Sequence, residues 1–206
     1  MNIYEVAPRD GIQNSPVPIS TSEKVFMIES LHSAGIKNME ITSFVNPKLV
    51  PQMSDAAEVF QQTKHLGNFD VLIPNKRGFD NAKNIGAKNF NIFFSPSKEF
   101  NHRNLNRTLD EKFEELDSML VETDRSNVRA YISCAFGCPF EGKPSEYALK
   151  NAMLKADYLA DTIVLCDTIG VAHPTQMLQT LELTKGLDAE IALHLHENKK
   201  IRNDIF

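Results

Sequence analysis

The chain has few cysteines, no excess of positive charge and no long apolar run, and each shortage removes a class of protein. Cys134, Cys138 and Cys166 are the three cysteines among 206 residues. So small and odd a number does not build the framework of a disulfide-rich secreted domain, and it suggests a reducing compartment. Lys and Arg number 22 against 27 Asp and Glu, a formal net charge of −5, which leaves no electrostatic footprint for nucleic acid or an anionic membrane. No uninterrupted apolar stretch approaches the ~20 residues of a membrane span. The opening "MNIYEVAPRDG" lacks the basic and apolar regions of a signal peptide. The expectation is a cytoplasmic protein with neither nucleic acid nor membrane as a partner. A Gly-rich G-x-G-x-x-G turn is also missing: the first strand-to-helix turn reads "APRDGIQN", which argues against a dinucleotide-binding sheet.

What is present is the composition of an ordinary globular domain, 42% hydrophobic and 24% charged, with a length that suits one domain. Short apolar or β-branched runs alternate with longer segments of helical period. The strand candidates are "IYEVA" (3–7), "NMEITSF" (38–44), "DVLIP" (70–74), "FNIFF" (90–94), "VRAYISC" (128–134), "TIVLCD" (162–167) and "IALHLH" (191–196). Helix signals fall between them. Ser20 with Glu23 and Thr108 with Glu111 have capping-box spacing, Phe113, Leu116 and Leu120 make an apolar stripe, and Gly35, Gly67, Gly86 and Gly186 punctuate helix ends. A β-α-β-α alternation implies a parallel sheet with crossover helices. Polar residues collect where strands end, as they do at the mouth of a barrel. The fold class expected is therefore α/β, an incomplete (β/α)8 barrel with about seven strands where the closed fold has eight.

The polar strand ends carry the candidate chemistry. His194 and His196 are two apart on a strand and so face one side, either as metal ligands or as packed, hydrogen-bonded histidines. Asp10, ending the first strand, favours the metal: one carboxylate and two imidazoles suit a divalent ion, Mg2+ or Mn2+, with Zn2+ as an alternative. Arg9 is either half of a surface ion pair or a donor to a developing oxyanion. Glu40 lies in an otherwise apolar strand, where an unpaired carboxylate is costly, so Arg9 or metal-bound water is its natural partner. Asp167 ends "TIVLCD" and either caps the next helix, as Thr168 could, or serves the site. C-x-x-x-C is not zinc-ribbon spacing, which leaves Cys134 and Cys138 as small buried hydrophobes. Lys76, Arg77, Lys98 and Arg103 follow strand ends and form either a seat for a phosphate-bearing substrate arm or a solvated rim.

Five stretches in order resemble the hydroxymethylglutaryl-CoA lyase family, a metal-dependent barrel group within the acyl-lyase and condensing-enzyme superfamily. They are "EVAPRDGIQN", "EITSFVNPKLVPQMSDAAEV", "YISCAFGCPFEGK", "DTIGVAHP" and "LHLH", and the resemblance covers residues 3–196. It implies retro-Claisen cleavage of 3-hydroxy-3-methylglutaryl-CoA to acetoacetate and acetyl-CoA, a step of leucine degradation and ketone-body formation. It assigns Asp10, His194 and His196 to the divalent metal, Arg9 to the enolate oxygen, Glu40 to the support of Arg9, and Asp167 to proton transfer. Gln13, Ser43 and Ser97 match positions lining the substrate pocket. Condensing relatives of the isopropylmalate- and homocitrate-synthase type usually show glutamate after R-D-G, where this chain has "RDGIQN"; they stand as the alternative, beside an inactive fragment. "ENKKIRNDIF" (197–206) does not match the family, so the domain is expected to end at residue 196. An unclosed barrel with open edges would then self-associate or form homo-oligomers.

Overall fold

A computed structural model describes residues 2–196; the expected non-matching tail lies outside the described residues. Six strands are hydrogen-bonded in sequence order: β1 (Glu40–Ser43), β2 (Asp70–Leu72), β3 (Asn89–Phe94), β4 (Val128–Ile132), β5 (Thr162–Asp167) and β6 (Glu190–Leu195). The pairs β1–β2, β2–β3, β4–β5 and β5–β6 are parallel, so each connection needs a crossover. The crossovers are α2 (Ala56–Thr63), α3 (Lys76–Asn84), α4 (Lys98–Leu105) with α5 (Leu109–Leu120), α6 (Glu146–Leu159) and α7 (Pro174–Glu182), and α1 (Thr21–Ser33) precedes β1. Among the described residues no helix is long and apolar enough to cross a membrane. The chain divides into two compact units, residues 1–91 and 92–206, with the division inside β3.

In the first unit the local signals act as written. Ser20 Oγ accepts the Glu23 N–H, and the Glu23 carboxylate accepts the Ser20 N–H at 2.8 Å, a complete capping box. The expected strand at 3–7 does not form. Only Glu5 pairs, as a single parallel bridge to Met39. The Glu5 carboxylate accepts the N–H groups of Val6 and Ala7 at 2.9 and 2.7 Å. That local capture draws the chain out of the ladder and into a tight π-helical turn, Ala7–Gly11, with Pro8 at its start. Among the described residues there are thus six strands, and the segment at 3–7 contributes an isolated bridge in place of a seventh. β2 also stops short of the expected residue 74, because Pro74 has no N–H for a ladder and Asn75 already caps α3 through the Gly78 N–H.

In the second unit β5 is buried at every position, the pattern of a parallel strand covered on both faces. Leu149, Ala152, Met153 and Ala156 of α6 bury the same helix face, and α6 packs on β4 and β5. The Thr108–Glu111 capping box starts α5. Leu116 and Leu120 of its expected stripe are buried, and Lys112 joins them at 1% exposure by pairing with Glu115 at 2.9 Å. The parallel register of β5 with β6 sets Cys166 beside His194 and Asp167 beside Leu195. That register positions the histidines.

Candidate active site

In the first unit the tight turn after Glu5 aims Arg9 inward, to 6% exposure. Its Nε donates to Glu40, which is fully buried at the start of β1, and its Nη1 donates to Asp10 at 2.7 Å. Gln13 Oε1 lies 3.5 Å from the same nitrogen. Asn91 on β3 donates to the other Glu40 oxygen and, at 2.9 Å, to Tyr4 Oη, which itself donates to Asp70 at 2.6 Å. A planar guanidinium can hold two carboxylates at fixed angles, and a buried charge persists only with such partners. Arg9, Asp10, Gln13 and Glu40 are therefore one cluster. Ser43 is not part of it: three residues beyond Glu40, it is buried and donates to the Leu72 carbonyl at 3.3 Å.

In the second unit the ends of β5 and β6 bring Asp167, His194 and His196 together. The two imidazole centroids lie 4.6 Å apart, as same-face residues should, and His194 also makes an edge contact with the Tyr131 ring at 6.3 Å. His196 Nδ1 lies 2.8 Å from the Asp167 carbonyl oxygen. A carbonyl only accepts, so Nδ1 carries the proton and Nε2 holds the lone pair. The Asp167 side chain accepts the N–H groups of Val171 and Ala172 at 2.8 and 3.0 Å. It thus ties down the turn that leads to α7, whose cap is His173. Thr168 Oγ1 accepts the Cys134 N–H at 2.8 Å.

Ser97 anchors another polar cluster of the second unit. It caps α4 by accepting the Phe100 N–H at 3.0 Å, donates to Glu141, and stands 3.0 Å from Cys138 Sγ. Hydrogen bonding from Ser97 holds the Glu141 carboxyl below the usual glutamate range, and the Glu99 N–H assists. Cys134 occupies the left-handed region at φ 59, a conformation that costs a non-glycine residue on the order of 1–3 kcal/mol. Two cavities flank this region. One of about 260 Å³ is lined by Ser97, Lys98, Glu141, Gly142 and Lys143; one of about 890 Å³ is lined by Lys98, Asn106, Arg107, Thr108 and Tyr147. Of the basic residues after strand ends, Lys76 pairs with Asp80 and Arg103 with Glu99 on exposed helix faces. Lys98 alone of the four lines both cavities.

Asn91, Tyr4 and Glu141 belong to these clusters and were not expected from sequence. Asn91 carried the signal that marked Glu40, a polar side chain inside an apolar strand run. Tyr4 and Glu141 carried none, since their partners lie 66 to 87 and 44 residues away.

A family model described as HMGL-like matches residues 1–201. The human mitochondrial hydroxymethylglutaryl-CoA lyase is 39% identical over 204 residues, covering 96% of this chain and 63% of the relative. The Bacillus subtilis hydroxymethylglutaryl-CoA lyase YngG is 36% identical over 207 residues, covering 97% of this chain and 69% of the relative. Among solved structures, an Acinetobacter baumannii HMG-CoA lyase in complex with coenzyme A and 3-methylmalate superposes with a TM-score of 0.87. It has 30% identity and covers 95% of this chain and 66% of that one. The chain thus spans 63% of the length of its mammalian relatives of this kind.

Proposed function

The chain belongs to the HMGL-like family, and from that premise we propose that it carries the site of a carbon–carbon lyase acting on 3-hydroxy-3-methylglutaryl-CoA. The products would be acetoacetate and acetyl-CoA, and the protein would serve leucine degradation and ketone-body formation. The observation that carries the reading is Arg9, a nearly buried cation fixed between Glu40 and Asp10. Retro-Claisen cleavage leaves negative charge on the thioester oxygen of the acetyl-CoA enolate. A preorganised guanidinium stabilises charge of that kind without reorganising at the moment of reaction. Glu40, locked by Asn91, holds the Arg9 plane. Gln13, Ser43 and Ser97 would line the substrate pocket, and Lys98, between two cavities, suits the phosphates of an acyl-CoA.

Asp10, His194 and His196 would hold a divalent cation, Mg2+ or Mn2+. The donor set fits: one carboxylate and two imidazoles, and with His196 Nδ1 engaged by the Asp167 carbonyl, Nε2 would be the atom offered to the ion. Such an ion would lower the energy of oxygen charge on the substrate. Asp167 would move the proton of the substrate's tertiary hydroxyl. Each carboxylate oxygen accepts one backbone N–H and retains a second lone pair for that purpose. A reducing compartment such as the cytoplasm would suit the three buried thiols Cys134, Cys138 and Cys166.

Calorimetric titration with Mn2+ and a substrate assay test the reading together. Asp10→Asn and His196→Ala should each weaken Mn2+ binding by at least about tenfold, the scale that even outer-shell partners of a metal command. Equal binding by wild type and both variants overturns the ligand assignment. Metal-dependent acetoacetate release supports the lyase; condensation of an acyl-CoA with a keto acid in its place overturns the substrate assignment.

A further inference from the structure

Cys134 and Cys138 have no role in the reaction proposed above, yet the fold treats them unequally. Both are buried, at 0% and 3% exposure, and their side chains are close enough for each to shift the ionisation of the other. Cys134 is held in the left-handed backbone region by the Thr168 hydroxyl on its N–H. Cys138 sits where a short antiparallel bridge to Gly142 closes the loop, 3.0 Å from the Ser97 hydroxyl and 3.4 Å from the donating Phe140 N–H. Cys166, the third cysteine, lies inside β5, with its sulfur 3.6 Å from the Val164 carbonyl.

We propose that Cys134 and Cys138 are a redox-active dithiol, in which Cys138 reacts first with a small hydroperoxide and Cys134 then closes an intramolecular disulfide. The donors around Cys138 are those that stabilise a thiolate. Burial pushes its thiol up, but the Phe140 and Glu141 N–H groups, which donate to the sulfur, and the neighbouring Ser97 and Cys134 side chains outweigh it, and the net direction is down. Cys134 goes the other way: burial, then the neighbouring Cys138 charge, push it up to about 12. One thiol of the pair ionises while the other keeps its proton, which is the division of labour between an attacking and a resolving cysteine. Hydroperoxide can approach through the cavity of about 260 Å³, because Ser97, Glu141 and Gly142, which touch or pair with Cys138, are in its wall.

The chemistry balances. The Cys138 sulfur attacks one peroxide oxygen, the O–O bond breaks, and the departing hydroxide takes the thiol proton to leave as water and a sulfenic acid. The Cys134 sulfur then attacks the Cys138 sulfur and the S–O bond breaks. Its own proton leaves with that oxygen as a second water. Two thiols are oxidised by two electrons and one hydroperoxide is reduced. The disulfide takes Cys138 off the Ser97 hydroxyl, so the oxidation state is coupled to the cap of α4 and to the wall of the smaller cavity. This inference rests on neither the metal nor the lyase reading.

The test is mass spectrometry and thiol counting on the native chain treated with hydrogen peroxide. Free thiols should fall from three to one, and the tryptic peptide between Arg129 and Lys150, which holds both cysteines, should lose two hydrogens and regain them with dithiothreitol. Cys166→Ser should behave identically. In Cys134→Ser the reaction should stop at a sulfenic acid on Cys138 that dimedone traps, and circular dichroism checks that each variant is folded. Three results overturn the proposal: a disulfide that includes Cys166, sulfinic acid on Cys138 with Cys134 still reduced, or thiols that persist under peroxide that oxidises the urea-unfolded chain.

Discussion

Replacing Glu40 with alanine removes the anion from a buried ion pair and leaves the cation in place. Arg9 is 6% exposed and Glu40 is 0% exposed, so water does not enter to compensate. Removing one partner of a buried pair costs about 3–5 kcal/mol. Two features move the expected value within that range. Asp10 still accepts from Arg9 Nη1 at 2.7 Å, and Asn91 Nδ2 keeps Tyr4 Oη at 2.9 Å, so neither group is stripped bare. The lower end, about 3 kcal/mol, is therefore expected. A domain of ordinary stability has only ~5–15 kcal/mol in all, so the shift in a urea midpoint would be large. The chain has no tryptophan, and far-UV circular dichroism is the suitable probe. Glu40→Gln should cost less, because the amide oxygen still accepts a hydrogen bond. If Glu40→Ala unfolds within about 0.5 kcal/mol of wild type, the range of an ordinary surface change, then Arg9 is solvated in solution. The preorganised-cation argument then fails with it.

Other substitutions probe neighbouring features. Arg9→Lys keeps the charge but loses the planar fork shared by Glu40 and Asp10, and should cut turnover of a lyase-active protein by about 2–4 kcal/mol of transition-state stabilisation; near-normal turnover removes Arg9 from the site. Gly78→Ala, in the first turn of α3, would ordinarily stabilise a helix by about 0.5–1 kcal/mol. Here the added Cβ would meet the Phe44 carbonyl oxygen at 2.7 Å, so thermal melting should instead show a loss of about 1–3 kcal/mol. Ser97→Ala removes the α4 cap and should cost about 0.5–2 kcal/mol, with Glu141 titrating closer to an ordinary glutamate in NMR. Glu111 is held below the usual range by the N–H and hydroxyl of Thr108. A depressed carboxyl supplies stability above its unfolded pKa, about 4.3, and loses it as pH falls through the folded value. Thr108→Ala keeps the N–H and removes the hydroxyl, so Glu111 should titrate slightly higher in NMR in that variant, and coincident curves would remove the hydroxyl from the box.

The sequence by itself determined what depends on neighbours along the chain. The capping boxes at Ser20–Glu23 and Thr108–Glu111 formed because their partners are three residues apart and close without help from the rest of the molecule. The alternation of short apolar runs with helical segments was enough to imply a parallel α/β sheet, since parallel strands admit few other connections. His194 and His196 share a face because a strand repeats every two residues. Even the one strand that failed, at 3–7, failed for a local reason, the capture of the Val6 and Ala7 N–H groups by Glu5. Only the tertiary structure decided which polar groups meet across long separations. Glu40 needed a partner by its apolar context, but that Asn91 and, through it, Tyr4 would complete the cluster depended on strand register. Likewise Asp167 proved to be both the anchor of its own turn and, through its carbonyl, the group that sets the His196 tautomer. The pairing of Ser97 with Cys138 and Glu141 spans 41 and 44 residues. Side-chain hydrogen bonds act over about 3 Å, and no spacing along the chain encodes which distant loops will come that close.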